Sequence, residues 1–342
     1  MISPYRNRVH GSSPGLNGRS VEGRLGAMHS TQSTRRDFLS LTGGGLAAGL
    51  PFASLAADKA PTCGLAIGTY GLQSLTIENA IRLVAETGFD GIEITAFPGF
   101  TGDPEALNGR HRKDLRNQIA DGGLRLCALM ADLHPSAEDD RHAEQCKQLI
   151  RLVELAHELA DSPPVIQTVL AGKSWEDEKN LFRDRLADWL QIAVDQKGIL
   201  SIKPHRGHAM SKPEEAVWLF EQLGSTRRLR MVYDYSHYAL REPGMSIEET
   251  VNTALPWTNY VAVKDAVEVD GKVRFALAGE GKNWDHADVI RAFHSGGYRG
   301  DFCCEVSSQI WKSDPAYDPV VATRTCYRNM VAAFERAGVK RD

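Results

Sequence analysis

The chain has 342 residues, of which 42% are hydrophobic and 25% charged, and its formal net charge is −4. That length can bury a sizeable core, and the acidic excess argues against partners that need a basic surface, such as nucleic acid or anionic lipid. The six cysteines include no Cys-x-x-Cys pair, which sets aside the commonest cysteine metal pattern.

Residues 1 to 27 are polar, rich in Gly, Ser and Arg, and end just before Met28, which points to translation starting there. Ser33-Thr-Arg35-Arg36-Asp-Phe38-Leu39 resembles the twin-arginine export motif, and a weakly apolar run from Leu39 to Leu55 follows it. Ser54-Leu55-Ala56 offers the small residues a signal peptidase reads, so cleavage is expected after Ala56. The run is too short and glycine-rich to make a stable membrane anchor. The expectation is therefore a cleavable signal over 1–56 that engages the twin-arginine export machinery, and a periplasmic or extracellular chain over 57–342. Without the signal the chain keeps 34 basic and 42 acidic residues, a net charge near −8. Cys63, Cys127, Cys303 and Cys304 lie in apolar strand-like runs and read as small buried hydrophobes. Folding in the reducing cytoplasm before export argues against disulfides.

From Gly64 onward, short apolar runs alternate with longer segments whose apolar residues recur every three to four positions. Eight such runs predict strands over 64–70, 91–96, 125–133, 165–170, 199–203, 230–234, 260–264 and 301–306. Helices are predicted between them, for example over 76–86, with apolar Ile77, Ala80, Ile81 and Val84, and over 146–159, with Leu149, Leu152, Val153 and Ala156. Pro213 and Asp285 are start signals for the fifth and seventh helices. Strands apolar on both faces, alternating with amphipathic helices, require a parallel sheet covered on both sides. Eight units in 286 residues suit an α/β fold closed into one single-domain (β/α)8 TIM barrel. An open doubly wound sheet would bring a dinucleotide fingerprint after its first strand; Gly68-Thr-Tyr-Gly71-Leu-Gln lacks it, so no nucleotide cofactor is expected.

In such a barrel the C-terminal strand ends share one mouth. In chain order they carry Glu93, Asp132 and His134, Gln167 and Thr168, Lys203 with His205 and His208, Asp234 with His237, Lys264 with Asp265, and Glu305. Glu305 follows Phe302-Cys-Cys, so it should sit deep and can serve as a proton-transfer base. Lys203 and Lys264 can supply positive charge to an oxyanion or enolate. A lysine whose pKa is lowered by burial could instead act as a base or form an imine. Glu93, His134, His205, His208 and Asp265 are candidate substrate contacts. Asp234 and His237, at i and i+3, can face one point and hold a divalent cation or a sugar hydroxyl. Tyr70, Tyr235, Tyr238 and Trp311 are candidates for stacking on sugar faces.

These segments resemble the xylose-isomerase-like, or sugar phosphate isomerase/epimerase, TIM barrels. The carriers are Gly88-Phe-Asp-Gly-Ile-Glu93, Lys203-Pro-His-Arg-Gly, Val232-Tyr-Asp-Tyr-Ser-His237, Val263-Lys-Asp265, Leu277-Ala-Gly-Glu-Gly281 and Gly297-Tyr-Arg-Gly-Asp-Phe-Cys-Cys-Glu305. The resemblance implies one divalent cation (Mn, Mg, Zn or Co), held by a glutamate, an aspartate, a histidine and a glutamate from strands five to eight, with the two glutamates shuttling a proton. Asp234 and Glu305 match that pattern, whereas Lys203 stands at the strand-five glutamate and Ala262 at the strand-seven histidine. His205 and His237 are near enough to substitute as ligands; alternatively, Lys203 replaces the cation. The endonuclease branch of the family needs extra histidines, which Val273-Arg-Phe-Ala-Leu lacks, so DNA repair is not expected. Two readings follow: an exported enzyme that isomerises, epimerises or eliminates on a small carbohydrate beside its carbonyl, or a non-catalytic carbohydrate-binding barrel with a decayed metal site.

Overall fold

The computed structural model describes residues 62–341 except Glu242. The Met28 start, the twin-arginine segment and the cleavage point after Ala56 lie outside the described residues. The elements are β1 (Gly64–Gly68), α1 (Ile77–Thr87), β2 (Gly91–Thr95), α2 (Gly109–Asp121), β3 (Arg125–Met130), α3 (Asp139–Leu159), β4 (Val165–Val169), α4 (Trp175–Asp195), β5 (Leu200–Lys203), α5 (Pro213–Gln222), β6 (Leu229–Tyr233), α6 (Ile247–Ala254), β7 (Thr258–Val263), β8 (Asp265–Val269), β9 (Lys272–Ala276), α7 (His286–Ser295), β10 (Asp301–Cys304), α8 (Ser308–Trp311) and α9 (Pro319–Ala337). β1 to β7 and β10 form a closed parallel barrel in that order, with β10 pairing back to β1 through Gly64–Asp301 to Ile67–Cys304. This is the predicted (β/α)8 barrel.

Local signals set the helix ends. Thr76 caps α1 by accepting from Asn79 N–H, and Gly88 closes it at φ 99°, a left-handed conformation that favours glycine. Pro213 opens α5, and Asp285 caps α7 by accepting from Ala287 N–H, as their positions predicted. α3 starts at Asp139, seven residues before the predicted helix. Its first two turns, Asp139 to Gln145, carry no large apolar side chain, so hydrophobic period alone misses them.

Two apolar regions hold the barrel. The larger lies between strands and helices and includes Leu65, Ile67, Ile92, Leu129, Leu152, Trp189 and Phe293. The smaller fills the barrel interior with Ala66, Ala128, Val232, Tyr260, Ala262 and Cys303. Successive side chains of a strand point to opposite faces, so the residue two positions on returns to the interior. That step takes Val165 to Gln167, Val232 to Asp234, Ala262 to Lys264 and Cys303 to Glu305. Gly91 to Glu93 and Ser201 to Lys203 follow the same rule. A layer of small residues thus lies beneath a buried polar ring at the C-terminal mouth. Gly68 pairs with Glu93, and a Cβ on it would stand 2.7 Å from Glu93 Oε1, so this position needs a bare backbone.

β8 and β9 form an antiparallel hairpin between β7 and α7, an element the eight-strand reading omitted. Its turn residues, Asp270 at φ 51° and Gly271 at φ 68°, match the tight turn that an Asp-Gly dipeptide favours between alternating runs.

Cys127, Cys146, Cys303, Cys304 and Cys326 are free thiols. No described helix is long and apolar enough to cross a membrane.

Candidate active site

A cavity of about 110 Å³ opens at the C-terminal strand ends. Its polar wall includes Gln167, Thr168, Lys203, His205 and Glu305, and its apolar wall includes Tyr70, Phe97 and Met130. A larger cavity of about 420 Å³ lies at the opposite barrel end, beside the Arg125–Asp301 ion pair. The smaller one is the better candidate, because the converging polar groups and perturbed ionisations meet there.

The charged centre is a buried network of two lysines and two carboxylates. Lys203 Nζ donates to Glu305 Oε2 and lies 3.9 Å from Asp234 Oδ2. Lys264 Nζ donates to Asp234 Oδ2 and lies 2.9 Å from Glu305 Oε1. Burial opposes charge on all four, so pairing decides the outcome. For Lys203, burial is outweighed by Glu305, then Asp234, and its pKa is held above the ordinary lysine range. That pairing favours the ammonium over the deprotonated amine that a base or an imine would need. For Glu305, burial is outweighed by Lys203 and Lys264, which bring it down to about 2. Asp234 is also held well below its ordinary value, since Lys264 and His237 overcome its burial.

Three imidazoles flank this network. His205 lines the cavity with its ring 4.0 Å from that of His237 and 4.6 Å from that of His208. Burial, followed by His237, Lys264 and Lys203, pushes the His205 pKa far down, so the ring is neutral. His237 is lowered to about 4 by burial and Lys264, against the pull of Asp234. The Arg206 backbone N–H donates to His237 Nδ1 at 3.2 Å, and Nε2 lies 3.3 Å from Asp234 Oδ2 and 3.2 Å from Lys264 Nζ.

Glu93 lies beneath the cavity rather than in its wall, 1% exposed. It accepts from Gln167 Nε2 at 2.8 Å and from Tyr260 OH at 2.9 Å. Its pKa is raised to about 7 by burial, with Lys203 pulling the other way.

Three expected substrate contacts sit elsewhere. Asp265 Oδ2 accepts from Gly281 N–H at 2.8 Å, and Oδ1 lies 3.0 Å from His286 Nε2. It heads the hairpin strand β8, and its Oδ2 ties the following loop. His134 Nε2 pairs with Asp132 Oδ1 at 2.8 Å, and its Nδ1 lies 3.1 Å from Val169 O. That pairing orders the loop after β3 and raises the ring's pKa, chiefly through the Asp132 bond. His208 does not line the cavity; it packs behind His205. Lys264 also stays behind Glu305, so it positions rather than touches. Of the aromatic candidates, Tyr70 faces the cavity with Trp311 edge-on to it at 5.5 Å, while Tyr235 and Tyr238 pack against Trp284 and Tyr233.

Phe275 of β9 was not expected. Its ring centroid is 5.0 Å from Lys264 Nζ and 5.1 Å from the His237 ring, so the hairpin roofs the ion network. The Asp-Gly turn was the signal that could have revealed it.

A divalent cation does not fit this donor set. Asp234, His237 and Glu305, the ligands the sequence suggested, converge on the Lys264 ammonium. A dication about 4 Å from an ammonium would be repelled by about 8 kcal/mol at an effective dielectric near 20. Among the described residues no group of three or more His, Cys, Asp or Glu side chains is arranged to hold a metal.

Solved structures of the same architecture share the fold at low identity. A xylose isomerase-like TIM barrel/4-hydroxyphenylpyruvate dioxygenase fusion protein is 18% identical with a TM-score of 0.62, covering 81% of this chain and 43% of its own. The apo 3-keto-D-glucoside 4-epimerase from E. coli is 15% identical with a TM-score of 0.61, covering 79% of this chain and 99% of its own. D-psicose 3-epimerase crystallised with D-fructose is 16% identical with a TM-score of 0.64, covering 80% and 99%. No curated protein matches in sequence. Residues 81–323 match the family described as Xylose isomerase-like TIM barrel. That span runs from α1 into α9 and takes in every member of the ion network but none of the signal-like residues, so this chain belongs to the xylose isomerase-like TIM barrel family.

Proposed function

We propose that the protein is an enzyme that moves a proton at the carbon beside the carbonyl of a small sugar or oxidised sugar. The observation that carries this reading is Glu305, a carboxylate in the cavity wall hydrogen-bonded to Lys203, an ammonium in the same wall. The sugar carbonyl oxygen takes the place of a Glu305 oxygen on Lys203. Glu305 loses a partner at that moment, and its basicity rises just where a base is needed. The C–H bond breaks, its proton goes to Glu305, and its electron pair moves onto the carbonyl oxygen as an enediolate beside Lys203. Protonation of the opposite face by a second donor, a side chain or water on that side, gives an epimer, and delivery by Glu305 to the neighbouring carbon gives an isomer. Expulsion of a hydroxyl as water from the next carbon completes an elimination. The epimerases named among the structural neighbours support the first of these endings, and a probable 3-DHS dehydratase supports the last.

Arg35-Arg36 and the run that follows support export by the twin-arginine route. Free sugar phosphates are scarce outside the cytoplasm, which favours an unphosphorylated substrate. The test is incubation of the purified protein with a panel of keto sugars and keto glycosides in deuterated water. Deuterium beside the carbonyl of at least one is expected; binding without any exchange would instead make this a carbohydrate-binding barrel.

A further inference from the structure

We infer that Lys264 is the resident cation of this site, and that with Lys203 it stands in for the divalent metal of a xylose isomerase-like barrel. The inference takes the cavity to be the active site, but its test does not need turnover.

The placement of one nitrogen carries the argument. Lys264 Nζ donates to Asp234, lies 2.9 Å from Glu305 Oε1 and 3.2 Å from His237 Nε2, and the side chain is 1% exposed. These three side chains come from the ends of β6 and β10 and the turn after β6, and of the three the two carboxylates are also within 4 Å of Lys203. Two ammonium groups against two carboxylates leave the centre neutral, so no further positive charge is required for its burial. Lys264 lies two residues past Ala262 on the same strand face, so the strand that would bring an imidazole brings an ammonium instead. The roof agrees with this assignment. The Phe275 ring lies 5.0 Å from Lys264 Nζ, an arrangement that attracts a desolvated ammonium, whereas a dication that keeps bound water would need room where that ring sits.

A lysine differs from a metal in ways that can be measured. It cannot be removed by a chelator, and it is one charge fixed on a stem rather than two charges shared among ligands. The positive charge is set by folding rather than by metal supply.

The experiment is Mn2+ titration of the full chain, followed by electron paramagnetic resonance of the free ion, with thermal unfolding in parallel. The wild type should take up no stoichiometric Mn2+, and its unfolding midpoint should not move with Mn2+ or with EDTA. The double variant Lys203→Glu/Lys264→Ala, which places three carboxylates around a vacated centre, should take up one equivalent and be stabilised by it. Wild type binding one equivalent, with loss of that binding in Asp234→Asn, overturns the inference whether or not the double variant folds. A folded double variant that ignores Mn2+ also overturns it, since the lysines would then not be what excludes the metal. A metal-binding wild type leaves the proton-transfer reading standing. Absence of exchange on every sugar removes that reading but not the assignment of Lys264.

Discussion

Lys203 and Glu305, 102 positions apart in the chain, share a hydrogen bond in the wall of one cavity. β5 ends on the lysine, and the glutamate directly follows β10, so closure of the barrel brings them face to face. Each keeps the other charged in a place where neither would be charged alone. In the proposed reaction a substrate oxygen divides the pair: the lysine changes partner, and the carboxylate keeps only Lys264.

Glu305→Gln keeps the shape and removes the base. We expect kcat to fall by about 10²–10⁴-fold, the usual worth of a positioned proton-transfer group, with little change in the affinity for a non-reacting sugar analogue. Steady-state kinetics and calorimetric titration on one preparation check this. A turnover number within a few fold of wild type would exclude Glu305 as the base.

Lys203 acts by charge, so its variants should rank by charge. Lys203→Arg should retain more activity than Lys203→Met, and the methionine variant should lose about 10²–10³-fold in kcat. Borohydride added to wild type with a turned-over keto sugar should leave the protein mass unchanged. A reduced adduct on Lys203 would show an imine and contradict the raised lysine pKa.

Glu93 gives stability an unusual pH dependence. Burial raises its pKa from 4.5 to about 7 in the folded protein. The folded state therefore binds more protons than the unfolded chain between those values, and this group's contribution to stability falls as pH rises from 4.5 through 7. The shift corresponds to about 3 kcal/mol. Glu305 works in another window: with its pKa lowered to about 2, its contribution is present above 4.5 and is lost as pH falls through 2. Urea unfolding of wild type and Glu93→Gln across pH 4.5–7.5 separates the two. The difference in stability between them should shift by that amount in favour of the variant at the upper end. A constant difference would mean that Glu93 ionises freely.

The barrel was legible because its strands are short, apolar on both faces and evenly spaced, which few other folds tolerate. The ring of ionisable groups at the strand ends was legible for the same reason, since the inward step of two fixes which side chains face the mouth. What each member does was not legible. Whether Lys264 lines a cavity or fills a ligand cage depends on its distance from Asp234, Glu305 and His237, and these come from separate parts of the chain. Asp265 shows the limit from the other side: one residue past Lys264, it belongs to the hairpin and is tied to Gly281 instead of the cavity. The hairpin was missed because its outer strand is charged and exposed, although Asp270-Gly271 marked its turn.

Phe275 is the member of the site that period and charge could not reveal, and its removal tests what the roof does. Its ring covers Lys264 and His237, and it helps to keep the surroundings in which the His237 pKa is lowered to about 4, first by burial and then by Lys264. Phe275→Ala admits water to that face. Desolvation weakens and the charge of Lys264 is better screened, so the His237 pKa should rise toward the ordinary 6.5. Because a histidine with a lowered pKa destabilises the fold as pH falls from 6.5 toward 4, the variant should lose less stability over that window than wild type does. Imidazole resonances followed by NMR titration report the pKa directly, and unfolding across the same window reports the linked stability. Lys264 should meanwhile keep its partners, because Asp234 and Glu305 hold it from below the ring, so the Mn2+ titration of the variant should match wild type. A His237 pKa unchanged by loss of the ring would show that buried neighbours other than Phe275 exclude the water.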